Sequence, residues 1–401
     1  MSESPIQKKP RKNGPGCYNC SQRRINCDRG TPACQKCLKK GIQCWGLGVR
    51  YRFTNGVASR GKLAGKTVPV NTVDGDTIMG NGVLHSMSIP LDHVGGRERF
   101  LFRYFAENVS PAMVAIDSIA NGYRDFILPL SDQDATVRNA TMAAAASHLG
   151  QKYAEWKDLA SQYHMAAIRG LNQRSQQANL TESIAYSNLS TMVLLLIEEM
   201  ITGGRDFRIL LRMVKCFVEF RGPASIEQTP QGRFLMQQIR KMSLYSQPLV
   251  SRESAMQALA AISREDLGFL YTILDSYPEH ASVIHRLTSV IRKAPRIYLS
   301  CATSRPQCVI DALVRDFLAE TSTFNAESPG GHILIWPFFI VGAECSSATD
   351  REFVTEQLRH LWKATGFTNT LYAIEVLERL WKKEPREWTR LMEDEVMVFI
   401  M

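Results

Sequence analysis

Six cysteines lie between positions 17 and 44, and they constrain the fold of this chain more than any other feature. Each half of the set has the same spacing, C-x-x-C and then a third cysteine after six intervening residues. Tetrahedral zinc needs four ligands, so six thiolates hold two ions only if two of the sulfurs bind both. The spacing therefore predicts a two-zinc site, with one bridging thiolate in each half, built from Cys17, Cys20, Cys27, Cys34, Cys37 and Cys44.

A disulfide framework is the competing use of six cysteines. Disulfides are typical of secreted chains, whereas the opening residues MSESPIQKKPRK contain no apolar signal-peptide core. A segment of about thirty residues also buries too little apolar surface to fold alone, so metal binding must supply the folding free energy, about 10–16 kcal/mol in structural zinc sites. We therefore expect structural zinc in a reducing compartment, with no open coordination position for catalysis.

The positive charge of the chain is concentrated around these cysteines. Residues 1–66 contain 15 Lys and Arg against Glu3 and Asp28, a balance of +13, while the other 335 residues carry 33 Lys and Arg and 37 Asp and Glu, a balance of −4. This distribution is typical of a nucleic-acid-binding head on an ordinary globular body. Between the second and third cysteines, a short helical segment presents Arg23 and Arg24, a pair suited to reading base edges.

Over residues 17–45 the sequence resembles the fungal zinc binuclear cluster transcription factors. The shared features are the six cysteines, the basic pair before the third, Asp28 directly after it and Pro32 two places before the fourth. The resemblance implies that Arg23 and Arg24 read a CGG-like triplet in the major groove. It also implies two bridging thiolates, so that the two zinc ions are held by Cys17, Cys20, Cys27 and Cys34 and by Cys34, Cys37, Cys44 and Cys17.

Two positions depart from that family. Ser21 and Asn26 stand where its members usually carry basic residues, which predicts a weaker grip on the DNA backbone. We expect flanking basic residues to replace part of this grip, namely Lys8, Lys9, Arg11 and Lys12 upstream and Arg50, Arg52, Arg60, Lys62 and Lys66 downstream. The block at residues 8–12 also resembles a nuclear import signal.

The rest of the chain divides into a linker and a large helical body. Residues 1–16 are predicted to be a basic disordered tail, residues 17–45 the cluster domain, residues 46–96 a basic, flexible linker and residues 97–401 an all-helical domain. The linker has turn-forming residues and no sustained helical period. It shows no heptad repeat, so any dimerisation must use the body.

Apolar residues at three- and four-residue spacing predict helices over 97–107, 134–149, 152–177, 181–202 and 207–220. For the helix predicted over 181–202, Thr181 is a start signal and the pair Gly203 and Gly204 is a stop signal. The most apolar runs, 192–197 and 333–343, are too short to span a membrane, and no membrane partner is expected.

Parts of the body are similar to the fungal-specific regulatory domain that accompanies these clusters. The resemblance rests on residues 102–130 and 143–149 and on a later segment with Trp336, Pro337, Phe338, Phe339, Gly342, Glu344, Trp362, Gly366 and Trp381. It implies an all-helical module that regulates activity through a small-molecule signal or a partner. The aromatic and methionine residues have two readings, a ligand pocket and ordinary core packing.

Enzyme chemistry is not indicated. The histidines show no metal-binding i, i+4 pair with an intervening glutamate. No nearby histidine accompanies the cysteines of the body, so we expect buried thiols rather than nucleophiles at Cys216, Cys301, Cys308 and Cys345.

The sequence thus predicts a mostly α chain with a small zinc-organised head, a linker and a large helical regulatory domain. Its predicted function is that of a nuclear, zinc-dependent, sequence-specific regulator of transcription by RNA polymerase II. Double-stranded DNA is the expected partner; a homodimer through the helical domain, a small-molecule effector and a co-regulator stay open. The alternative is a small-molecule- or protein-binding scaffold whose zinc head binds nucleic acid weakly.

Overall fold

The computed structural model describes residues 16–17, 19–20, 23, 25–30, 33–42, 44, 95–117, 121–176, 181–324, 328–383 and 387–401. Residue contacts divide the chain into two compact units, Met1–His93 and Val94–Met401, and each is treated by itself. The predictions of a basic tail over residues 1–16 and of a flexible linker over residues 46–96 lie outside the described residues, except at Gly16, Gly95 and Gly96.

The first unit has a core made of cysteine. The first five cysteines are buried, while Ile25, Ile42 and Cys44 pack against them from the side. A single helical turn, α1 (Gln35–Leu38), follows Cys34. Such a core contains almost no apolar surface, so its stability depends on what the sulfur atoms bind.

The second unit is helical, and its described residues include no strand, which confirms the predicted fold class. Its α-helices are α2 (Gly96–Tyr104), α3 (Leu128–Gln133), α4 (Ala135–Gly150), α5 (Lys157–Ser175), α6 (Glu182–Thr202), α7 (Phe207–Arg221), α8 (Pro223–Ile226), α9 (Pro230–Val250), α10 (Arg252–Ala260), α11 (Gly268–Ser276), α12 (Ala281–Ala302), α13 (Gln307–Thr321), α14 (Ile335–Glu344), α15 (Ala348–Thr365), α16 (Asn369–Leu380) and α17 (Trp388–Glu395). Two π-helical turns, Phe105–Val109 and Tyr123–Ile127, and four 3₁₀ turns, Pro111–Met113, Ala154–Trp156, Pro278–His280 and Gly331–Leu334, complete the described helical elements.

Helix α6 is the centre of the second unit. It packs against α4, α5, α7, α9 and α16, and every residue from Ala185 to Ile201 is buried. Among the described helices it alone is long and apolar enough to cross a membrane, but 94% of its apolar window is buried inside the unit. It therefore has the surroundings of a core helix.

Both predicted boundary signals of α6 are confirmed. Thr181 caps its first turn, because the Thr181 Oγ1 accepts a hydrogen bond of 3.3 Å from the Ile184 N–H. Gly203 ends the helix in the left-handed conformation, with φ of 69°, which glycine adopts without steric cost.

The aromatic segment of α14 belongs to the core. All residues from Ile335 to Glu344 are buried. The Trp336 indole stacks on the Tyr245 ring at 4.7 Å and donates a 2.9 Å hydrogen bond to the Tyr245 carbonyl oxygen. Trp381 likewise donates to the Gly342 carbonyl oxygen at 2.8 Å. Of the two interpretations of these residues, a ligand pocket and core packing, this segment fits core packing.

Candidate metal centre

The fold of the first unit brings all six predicted ligands together. The sulfur atoms form two sets of four, and within each set they all lie within 4.8 Å of one another. Cys17 and Cys34 belong to both sets, as two bridging thiolates would. The sets are Cys17, Cys20, Cys27 and Cys34, and Cys17, Cys34, Cys37 and Cys44.

The separations between the sulfur atoms suit tetrahedral zinc. The Sγ atoms of Cys17 and Cys34 are 3.5 Å apart. Cys20 Sγ lies 3.6 Å from Cys34 Sγ, and Cys37 Sγ lies 3.6 Å from Cys17 Sγ. Four sulfurs at about 2.3 Å from a central zinc would be about 3.8 Å apart. The two overlapping sets therefore fit two zinc ions.

Burial controls the ionisation of the shared thiols. It raises the pKa of Cys17, and it raises the pKa of Cys34 to about 12. Zinc binds the thiolate form, so loading with zinc should release protons, and acid should release zinc.

The two halves of the head repeat each other at an offset of 17 residues. The Cys17 N–H donates to Cys27 Sγ at 3.3 Å, and the Cys34 N–H donates to Cys44 Sγ at 3.3 Å. Ile25 N–H donates to the Cys20 carbonyl oxygen at 3.0 Å, and Ile42 N–H donates to that of Cys37 at 3.2 Å. The backbone thus orients equivalent sulfurs in the same way, which is how outer hydrogen bonds position metal ligands. The offset, applied to Ile25, would have identified Ile42 from the sequence.

Asp28 joins the two halves. Its Oδ2 accepts a 2.8 Å hydrogen bond from the Gln35 N–H and its Oδ1 a 3.3 Å bond from the Lys36 N–H. These bonds cap α1 from outside the helix, and that with Gln35 is the main reason why the pKa of Asp28 lies below its usual range. The Lys36 ammonium donates to the Asn26 carbonyl oxygen and forms a second link.

Few of the predicted DNA contacts fall on described residues. Arg23 is exposed, and its N–H donates to the Asn19 carbonyl oxygen at 3.1 Å. Lys39 and Lys40 are exposed on the same unit and were not among the predicted contacts, although Lys40 corresponds to Arg23 at the offset of 17. The remaining positions lie outside the described residues: Lys8, Lys9, Arg11, Lys12, Ser21, Arg24, Pro32, Arg50, Arg52, Arg60, Lys62 and Lys66.

The prediction of buried thiols in the second unit is wrong at two of four positions. Cys216 and Cys308 are exposed, because they lie on the solvent faces of α7 and α13. Cys345 is buried and Cys301 is half-buried. Burial, with the Glu344 carboxylate nearby, raises the pKa of Cys301, so this thiol is a poor nucleophile.

Comparison with known proteins identifies both units. Residues 15–48 match the family described as Fungal Zn(2)-Cys(6) binuclear cluster domain. Residues 100–239 and 235–400 each match the family described as Fungal specific transcription factor domain. The cluster match and the grouped sulfurs together imply two zinc ions.

One curated relative matches over a short segment. The acriflavine sensitivity control protein acr-2 of Neurospora crassa is 46% identical over 37 residues, which cover 9% of this chain and 6% of that protein. No solved structure matches the chain.

Proposed function

The chain belongs to the family of fungal-specific transcription factor domains, with a Zn(2)-Cys(6) cluster domain ahead of it, and from this premise we propose that it binds specific DNA sites and regulates transcription by RNA polymerase II. The observation that carries the proposal is the pair of overlapping four-cysteine sets. Such a closed site fixes the backbone of a small basic head and leaves no position for catalysis. Because both matched families are those of transcription factors, we propose a regulator rather than an enzyme.

In this proposal each part of the head has a separate role. The six cysteines hold two structural zinc ions, with Cys17 and Cys34 as the bridges. Arg23 and Arg24 contact the base edges of a CGG-like triplet. The exposed Lys39 and Lys40 and the flanking basic residues Lys8, Lys9, Arg11, Lys12, Arg50 and Arg52 contact phosphates.

The Lys36 ammonium partly replaces the positive charge that a basic residue at position 26 would supply. Because it donates to the Asn26 carbonyl oxygen, it places a positive charge beside that position. The second half of the head thereby supplies part of the contact with DNA phosphates that Asn26 cannot make.

Selection from a randomised duplex library tests sequence-specific binding by the full, zinc-loaded chain. We expect enrichment of a CGG-like triplet, either singly or as a pair with fixed spacing. If no site is enriched while zinc is bound, sequence-specific binding is wrong and the scaffold alternative takes its place.

Arg24→Ala separates base readout from phosphate contact. We expect it to cost about 1–3 kcal/mol and to relax the preference at one base position. Lys62→Ala is the matched comparison, because it should weaken binding to all DNA sequences equally. It should also reduce the slope of the logarithm of affinity against the logarithm of salt concentration by about one unit. An equal loss on every sequence for Arg24→Ala would leave this arginine as a phosphate contact.

We also propose that the protein acts in the nucleus, imported through the basic block at residues 8–12. A fluorescent fusion in which Lys8, Lys9, Arg11 and Lys12 are replaced by alanine should lose nuclear accumulation. Unchanged accumulation would assign import to another segment.

A cavity in the second unit supports a regulatory ligand. It has a volume of about 420 Å³, and its lining includes Arg252, Cys301, Gln307, Glu344, Trp388 and Arg390. The Glu344 carboxylate accepts hydrogen bonds from Gln307 Nε2 at 2.9 Å and from Trp388 Nε1 at 2.7 Å. The volume suits a small molecule, and the charged lining favours a polar one.

Thermal unfolding of the full chain with a panel of small polar metabolites tests this effector site. A concentration-dependent rise in Tm is expected for the effector. The rise should disappear in Arg390→Ala, whose side chain is exposed and whose loss should leave the fold intact. A rise that persists in this variant would place the ligand elsewhere.

A further inference from the structure

Helix α7 carries apolar side chains on two faces. Phe207, Leu210, Val214 and Val218 are buried inside the unit. On the solvent side lie Ile209, Met213, Cys216 and Phe220, which we call the outer stripe. Ile209 is 59% exposed, Met213 39% and Phe220 77%, and Cys216 is also exposed.

The spacing of the outer stripe separates it from ordinary exposed apolar residues. The other large exposed hydrophobic side chains of the described second unit occur singly: Phe100, Met165, Val250 and Val309 lie on four different helices, and Tyr153 and Met397 lie outside the helices. Single residues of this kind are normal on protein surfaces. The stripe residues instead follow one another at intervals of four, three and four, the seam of a helix that packs against another helix.

The two flanks of the outer stripe differ in character. Arg212, Lys215 and Glu219 are exposed along one flank, and Lys215 and Glu219 are 4.0 Å apart. The half-buried Phe217 lies along the other flank, where Leu210 is already buried inside the unit. A partner helix must therefore place an acidic side chain near Arg212 and a basic one near Glu219 on the charged side, and an apolar surface on the other side.

A second copy of α7, running antiparallel, meets these requirements. A twofold axis midway between Met213 and Cys216 pairs Met213 with the partner's Cys216 and Ile209 with the partner's Phe220. The same axis brings Arg212 close to the partner's Glu219, and twofold symmetry repeats this ion pair at the other end. In a parallel pair, by contrast, Phe220 would pack on its own copy and Arg212 would lie opposite no acidic side chain of the stripe's charged flank.

We propose that the protein forms a symmetric homodimer through antiparallel pairing of the outer stripes. The occupant is a second copy of this chain, because Arg212 and Glu219 complement each other under that symmetry. The pairing places the dimer contact in the second unit, away from the cysteines.

Sedimentation equilibrium of the full, zinc-loaded chain without DNA tests the pairing. The chain should dimerise in the micromolar range, and Phe220→Asp should raise the dimer dissociation constant at least roughly tenfold, because it desolvates a charge in an apolar seam. Met165→Asp is the matched control: Met165 is 48% exposed but lies on α5, so its replacement should leave the dimer unchanged. Equal Tm values for all three proteins verify that the folds are intact.

A charge exchange tests the antiparallel register. Arg212→Glu and Glu219→Arg should each weaken the dimer, because they create like-charge contacts, and the double variant should restore it. A double variant as weak as the single ones overturns the register. A chain that is monomeric throughout, or a dimer indifferent to Phe220→Asp, overturns the pairing and leaves the stripe to a helix of another protein. Because DNA is absent, none of these outcomes bears on sequence-specific binding.

Discussion

Cys17 and Cys34 differ from the other four cysteines of the head because each belongs to both four-sulfur sets. A terminal cysteine serves one ion, whereas a bridging cysteine serves two. The backbone reinforces this difference, since the N–H groups of Cys17 and Cys34 also donate to the sulfurs of Cys27 and Cys44. Replacing a bridging cysteine should therefore release more zinc than replacing a terminal one.

We expect Cys17→Ser to reduce the zinc content of the full chain from two ions to nearly none, because both ions lose a ligand. Cys27→Ser should lower the content less, since the second set keeps all four sulfurs. Mass spectrometry of the metal content after dialysis measures the ratio. Cys308→Ser, at an exposed cysteine outside the head, should retain both ions. Equal losses for Cys17→Ser and Cys27→Ser would contradict the assignment of bridges.

Lys241 is a buried cation within the second unit. Its ammonium donates to the Met113 carbonyl oxygen at 2.9 Å and lies 5.3 Å from the centre of the Phe269 ring. Burial lowers the pKa of Lys241 to about 7, against about 10.4 for an unfolded chain. Between these values the unfolded state binds the extra proton, so this residue makes the free energy of unfolding increase with pH.

Lys241→Met should stabilise the protein, most of all below about pH 7, and the gain should shrink as the pH approaches about 10. Thermal unfolding at a series of pH values compares the variant with the native chain. Lys363→Met, at an exposed position, is the control and should leave the pH dependence of the free energy of unfolding as it is in the native chain. Parallel pH profiles for the native chain and Lys241→Met would show that Lys241 titrates normally.

At the scale of single elements, Asp134 ties two helices together. Its Oδ1 accepts from the N–H groups of Thr136 at 2.9 Å and Val137 at 3.2 Å, and so caps α4. Arg174, near the end of α5, donates to both carboxylate oxygens at 2.8 and 2.7 Å. Burial is the largest single influence and would raise the pKa of Asp134, but the hydrogen bonds from Arg174, Ser187 and the Val137 N–H together outweigh it, so the pKa lies below its usual range.

Asp134→Ala should lower the free energy of unfolding by about 2 kcal/mol, since it removes a cap and leaves Arg174 with only its hydrogen bond to Asn188 and no carboxylate. Ser347→Ala is the comparison, because Ser347 caps α15 with one 3.0 Å bond to the Asp350 N–H and should cost about 1 kcal/mol. The carboxylate stabilises the fold above about pH 4, so the effect of Asp134→Ala should diminish in acid as the native Asp134 protonates. Chemical denaturation at neutral and acid pH measures both values, and a loss no larger than that of Ser347→Ala would rule out a contribution from Arg174.

Sequence periodicity located the predicted helices well where one face repeats. The prediction of 207–220 corresponds to Phe207–Arg221, and that of 134–149 to Ala135–Gly150 with Asp134 as its cap. The π-helical turn Phe105–Val109 was not predictable, because its wider turn breaks the 3.6-residue period. Pro295 lies inside α12, where proline normally ends a helix and tertiary packing outweighs that preference.

The metal site was more predictable than the DNA contacts for a physical reason. Zinc fixes the number, chemistry and approximate spacing of its ligands, so the cysteines of the head are read directly from the sequence. Base and phosphate contacts depend on which side chains share one surface. Lys40 illustrates this, since it corresponds to Arg23 at the offset of 17 residues but is identified as exposed only in the folded head.

At the scale of the whole molecule, the two units have different kinds of core. Sulfur and metal stabilise the first, and apolar helix packing stabilises the second. Each contains its own core, which is the condition for independent unfolding.

A strong chelator should therefore unfold the head and leave the thermal transition of the helical unit unchanged. The measurement is helical circular dichroism of the full chain during heating, with and without chelator. Readdition of zinc should restore DNA binding without altering this transition. A large fall in the Tm of the helical signal on chelation would show that the helical unit depends on the metal.

The central position of α6 has a consequence for biosynthesis. Its last turn is completed by chain made much later, since the Ile201 carbonyl oxygen accepts a 3.1 Å hydrogen bond from the Thr368 N–H and α16 packs against the helix. At ribosomal rates of about 5–20 residues per second, those partners follow roughly 10 to 30 s after the helix itself. During that interval the nascent chain displays a segment apolar enough for a membrane. Helices α4 and α5 are made earlier and can cover part of α6, but we expect the remainder of this segment to need shielding from other apolar surfaces until the C-terminal helices arrive.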